Sequence, residues 1–139
     1  MTFQEKSTLT MTATLVLVFG WYFALILGPI AGSPEREIAY TGLMVAVVIV
    51  LVILAAVSHA VLAIVFRSQA NSDDERDRFI ALRSERIAAY ILAVGVCAGI
   101  WLAIVQSDTF WIAQALIATL VLAEVTEGVT RLTLYRLGA

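Results

Sequence analysis

Four long runs of residues without a formal charge dominate this chain: about Met11 to Ile30, Ile38 to Phe66, Ile87 to Val105 and Thr109 to Ala123. Three of them are long enough to cross a hydrocarbon core of about 30 Å as a helix rising 1.5 Å per residue. Inside lipid every peptide N–H and C=O has to be satisfied within the protein, so such runs fold as helices. The fourth run covers only about 22 Å at that rise. It therefore continues through Val125, Gly128 and Val129, or ends where the bilayer is thinned or wet. The expectation is an all-α polytopic membrane protein: one transmembrane domain over 1–139, with four transmembrane helices in a bundle. The spans fall at about 11–30, 38–66, 87–106 and 109–129, and a charged connector occupies 67–86.

Composition agrees with this reading. Apolar residues are 61% of 139 positions and charged residues 14%, against about 45–50% and about 25% in soluble domains. A net charge of −2, with the arginines gathered in one connector and one tail, gives no broad basic surface and argues against nucleic-acid binding. The single cysteine, Cys97, lies inside an apolar run, which excludes an internal disulfide, a CxxC pair and a cysteine-based zinc site. Ala31, Gly32 and Ser33 after the first run would suit a signal-peptide cleavage site. The run is too long for a signal h-region and has only Lys6 before it, so it reads as an uncleaved span.

Basic residues set the expected orientation. Arg67, Arg76, Arg78, Arg83 and Arg86 lie in the connector, Arg131 and Arg136 in the tail and Lys6 near the start, whereas Arg36 alone falls on the opposite side. The positive-inside rule then places both termini and the connector in the cytoplasm. Trp101, Phe110 and Trp111 flank the 106–108 turn, and Phe66, Phe79, Tyr90 and Tyr135 the other boundary, as interfacial aromatics do. Ser33 and Pro34, with Glu35 and Glu37 following, suit the start of the second helix. Ser72, Asp73, Asp74 and Glu75 read as a capping box, so the third helix begins about 20 Å before Ile87.

Helices in lipid associate where small residues let backbones approach. Gly20, Ala24 and Gly28 form one such stripe and Gly95, Gly99 and Ala103 another, at matching depth on helices running the same way. They predict a helix-packing or oligomer interface, within one chain or between copies. Ala56, Ala60 and Ala63 add a lesser stripe on the second helix.

Few residues could carry chemistry. His59, Glu124 and Glu127 lie at similar depth near the inner boundary, and an imidazole with two carboxylates could relay a proton or hold a divalent ion. The stronger reading is structural: His59 hydrogen-bonds within the bundle, Glu127 pairs with Arg131 four residues on, and Glu124 reaches the headgroups. In the connector, Arg76, Arg78, Arg83 and Arg86 stand among acids at helical ion-pair spacing, beside Phe79, Ile80 and Leu82. They read as a self-paired helix extension, with a partner or anionic-lipid contact as the alternative. Cys97 and Gln114 read as packing residues. A phosphate loop, HExxH, nucleophile elbow and heme-attachment motif are all missing from the sequence, and no cofactor or metal is expected.

Asp74, Glu75, Arg76 and Asp77, then Ile80, with Arg83 and Ser84 leading into a helix, resemble the D-E-R-x-x-x-I opening of the third span in small, uncharacterised prokaryotic four-helix membrane proteins. The likeness covers about a dozen residues and those families have no established activity. It implies the architecture and a bacterial or archaeal cytoplasmic (inner) membrane. The function expected is therefore a non-enzymatic membrane protein working by assembly, as a homo-oligomer or as an accessory subunit of another membrane protein. A small oligomeric transporter or channel using His59, Glu124 and Glu127 is the alternative, and a lipid-modifying or metal-dependent enzyme stands last. Small multidrug exporters are comparable in size but carry a glutamate in the first span, where this chain has none.

Overall fold

A computed structural model of the chain describes residues 3–30, 36–68 and 74–137, and every described element is helical. The elements are α1 (Phe3–Leu25), which runs on into a π-helical turn (Ile26–Ile30), α2 (Arg36–Ser68), α3 (Asp74–Ile104) and α4 (Thr109–Leu137). Three of these helices contain segments long and apolar enough to cross a membrane: Thr8–Gly28, Glu75–Ile104 and Thr109–Leu137. In α2 the apolar stretch among the described residues, Tyr40–Leu54, is shorter.

The π turn is a departure from the regular helix expected up to Ile30. Pro29 has no N–H and takes one bond out of the i→i−4 ladder, and the chain widens to the next register over Ile26–Ile30. The third helix starts at Asp74, well ahead of Ile87, as the uninterrupted helical sequence predicts; Ser72 and Asp73 of the expected capping box lie outside the described residues, as do Ser33, Pro34 and Glu35. The fourth helix continues past Ala123 to Leu137, which removes the shortfall in its length.

Between α3 and α4 the chain turns sharply. Ser107 N donates to Leu102 O (3.0 Å) and Gln106 N to Ala103 O (3.1 Å), the paired bonds of a Schellman ending, with Gln106 left-handed at φ 54°. Asp108 then caps α4, its Oδ1 accepting from Phe110 N at 3.0 Å. The result is an antiparallel hairpin, the most extensive helix pair in the molecule.

Small residues explain how closely that hairpin packs. A Cβ placed on Gly95 would run into Thr119, and one on Gly99 would lie 2.7 Å from Leu116 Cδ2. Thr119 does not carry an orphaned hydroxyl into this contact, because Oγ1 donates to Ala115 O at 2.8 Å. It is α4, then, that fills the glycines of α3. On the far side of α4, Gly128 receives Thr12 of α1.

The core lies between α1 and α4. Leu15, Phe19, Tyr22 and Ile26 are buried on α1, joined by Val47 of α2 and by Phe110 and Ile117 of α4. Positions 15, 19 and 22 share one face of α1, and at 100° per residue Gly20 and Ala24 fall on roughly the opposite one. Gly20, Ala24 and Gly28 are exposed, and among the described residues nothing approaches within 4 Å of a Cβ built on Gly20 or Gly28. Phe110 is a correction to the sequence reading: it is fully buried, edge-on to the Tyr40 ring at 5.0 Å, and so belongs to the core. Trp101 and Trp111 remain 64% and 45% exposed, as interfacial rings would be.

Candidate functional site

Two polar clusters interrupt the apolar packing, one toward each end of α4. At the end remote from the turn, Arg131 is buried between α3 and α4. Its Nη2 lies 2.7 Å from Glu127 Oε1 and 3.5 Å from Glu85 Oε1, and Nε donates to Ser84 Oγ at 3.1 Å. Ser84, itself fully buried, donates its hydroxyl hydrogen bond to Ala81 O at 2.8 Å. One turn further on, Tyr135 hydrogen-bonds Asp77. A guanidinium taken out of water needs this many acceptors, because a buried charge left uncompensated costs several kcal/mol (about 3–5). Arg131 therefore locks the extension of α3 to the last turns of α4, and the charged segment before Ile87 is braced along one side.

The second cluster lies near the turn. Tyr22 of α1 donates its hydroxyl to Gln114 Oε1 of α4 at 2.9 Å, with both side chains buried. Among the described residues Gln114 Nε2 finds no hydrogen-bond partner. An unmet buried amide N–H costs about 1–3 kcal/mol, which makes this atom the most conspicuous vacancy in the polar bonding. Elsewhere the Gln114 side chain lines an open groove of about 570 Å³. Phe23 and Leu27 of α1, Leu102 of α3 and Trp111 of α4 form its walls, with Ser107 and Asp108 at the mouth. Ala115 and Ala118, whose side chains are too short to fill the space, leave the hollow on α4. Among the lining residues Gln114 alone is buried, so it forms the floor.

The residues singled out from sequence are distributed as follows. Glu127 is tied to Arg131, Glu124 is half-buried, and the side chain of His59 lies outside the described residues. Among the described residues no group of three or more His, Cys, Asp or Glu could hold a metal ion. Arg76, Arg78, Arg83 and Arg86 are exposed on α3, with the Arg83 guanidinium 6.0 Å from the centre of the Phe79 ring. Gly95 and Gly99 are covered by α4, whereas Ala103 is exposed. Sequence reasoning passed over Tyr22, and took Gln114 only as a packing residue and Ser84 only as part of the entry to the third helix. The available signal was the rarity of an amide inside an apolar run, which in lipid demands a partner.

Comparison of the chain with protein-family models, with curated proteins and with solved structures gives no match.

Proposed function

We propose that this chain is a small, non-enzymatic integral membrane protein that works by assembly, through the small-residue face of α1. The observation that carries the reading is a contrast between glycines. Gly95, Gly99 and Gly128 are filled by side chains of the same chain, while Gly20 and Gly28, like Gly42 on α2, meet nothing among the described residues. A helix surface of that kind forfeits dispersion contacts unless another helix closes on it. Leu17 and Trp21 stand beside the stripe, 73% and 62% exposed, and give it a ridge to set against a neighbour's groove. A second copy of the chain is the occupant that fits such self-complementarity, with a different membrane protein as the other form of the proposal.

The rest of the reading is topological. All four helices cross the membrane, the second over about 38–66 within α2 (Arg36–Ser68), and both termini share the cytoplasmic side of a bacterial or archaeal membrane with the connector. The arginine distribution supports this side. The transporter alternative draws less support, because the Glu127 carboxylate is already committed to Arg131.

Disulfide trapping in native membranes tests the assembly. In a Cys97→Ser background, Ala24→Cys and Gly28→Cys are expected to give a dimer, and Val94→Cys, on an equally open part of α3, is not. Failure of both α1 cysteines to trap any partner, or trapping no better than at Val94, defeats the proposal.

A further inference from the structure

The outer face of α3 ahead of its apolar run goes beyond that reading, since it needs no second copy, only a bilayer for α3 to enter. At 100° per residue Phe79, Arg83, Arg86 and Tyr90 fall within one narrow stripe. All four are exposed, on the side of the helix turned away from the buried Ser84 and Ala88. Neither arginine has an acid three or four positions away in either direction, so the pairing that offsets charge along a helix is denied to both. Among the described residues neither takes part in an ion pair. The Arg83 guanidinium lies 6.0 Å from the centre of the Phe79 ring, a neutral partner that cancels none of its charge. Glu85, between the two in sequence, reaches Arg131 instead at 3.5 Å. Like charges three positions apart on a helix repel, and an anion held between them relieves the repulsion.

Depth identifies the anion. The uncharged run of α3 opens at Ile87, within the segment able to cross a membrane. Arg86 and Arg83 precede it by about 1.5 and 6 Å along the helix, and the headgroup layer on each side of a bilayer is about 5–7 Å deep. The two cations therefore stand at the level of lipid phosphates. Tyr90, four positions past Arg86, stands at the level of the first acyl carbons, where interfacial aromatics lie. We infer that Arg83 and Arg86 form a site for an anionic phospholipid of the surrounding leaflet, the two guanidiniums sharing its phosphate. A planar guanidinium can present two parallel N–H bonds to phosphate oxygens, which suits arginine to this role. A zwitterionic headgroup carries an ammonium beside its phosphate and offsets the pair poorly, whereas a glycerol headgroup carries none.

Native mass spectrometry of the full chain in mild detergent, titrated with diacyl phosphatidylglycerol and diacyl phosphatidylethanolamine of identical chain length, tests the site. The unaltered protein is expected to bind the glycerol lipid about five- to thirtyfold more tightly, the worth of one to two arginines at a charged surface. Arg83→Gln combined with Arg86→Gln is expected to bring the two lipids to similar affinity. Both side chains are exposed, so this variant is expected to melt with the parent. Arg78→Gln combined with Arg136→Gln removes the same charge from exposed positions outside the stripe and is expected to keep the preference. Equal affinity of the unaltered protein for the two lipids overturns the site and leaves the pair to an acidic protein partner. Equal loss of preference in the two double variants also overturns it, because net charge alone would then attract the lipid.

Discussion

Arg131 keeps its charge in a buried position because Glu127, Glu85 and Ser84 surround it, and the three do not contribute equally. Glu127 is nearest at 2.7 Å and only 21% exposed, whereas Glu85 stands at 3.5 Å and is 52% exposed. Glu127→Gln is therefore expected to destabilise the protein by about 2 kcal/mol, with a melting temperature in detergent lower by several degrees. Glu124→Gln, which removes the neighbouring carboxylate, is expected to stay within about 0.5 kcal/mol of the parent. Adding Arg131→Met to Glu127→Gln is expected to restore part of the loss, since it withdraws the stranded cation. Equal melting temperatures for Glu127→Gln and Glu124→Gln would show that the buried arginine depends on neither. The pairing of Glu127 with Arg131 was legible from their four-residue spacing. The engagement of Ser84 and Glu85 was not, because it depends on which stretch of α3 runs beside α4.

At the scale of helices, α1 and α3 carry the same motif and use it differently. Both show small residues four apart, but on α1 the bulky set Leu15, Phe19 and Tyr22 lies opposite Gly20 and Ala24 and takes the core. On α3 the buried positions after Ile80, namely Ser84, Ala88 and Gly99, are themselves small, and α4 closes on Ser84 and Gly99. The periodicity of the apolar runs, their lengths and the early start of α3 could be read directly from residues. Which stripe finds a partner inside the chain could not, since small-residue spacing is indifferent to the identity of the neighbour. Two leucine substitutions separate the cases. Gly95→Leu collides with Thr119 and is expected to cost about 1–3 kcal/mol in melting experiments. Gly20→Leu meets open space and is expected to leave the melting temperature unchanged while abolishing disulfide trapping at Ala24. A large destabilisation by Gly20→Leu would mean that the α1 stripe is filled within a single chain after all.

For the molecule as a whole, orientation is the property that charge alone was able to suggest. Reporter fusions after residues 70 and 137 are expected to report the cytoplasmic side, and one inserted near residue 107 the opposite side. The native thiol adds an internal check. Cys97 is exposed on α3, near the middle of the apolar run from Ile87 to Val105, so it is expected to react with a lipid-soluble maleimide and to resist a membrane-impermeant one. Labelling of Cys97 by the impermeant reagent from either side would place this part of α3 in water. The two ends of the α3 and α4 hairpin are pinned in one register, by Arg131 on Ser84 at one and by Thr119 and Leu116 on Gly95 and Gly99 nearer the other. A slide of one helix along its neighbour by a turn, about 5.4 Å, would unseat all of these at once. The hairpin is therefore closed to piston-like strokes of one helix along the other.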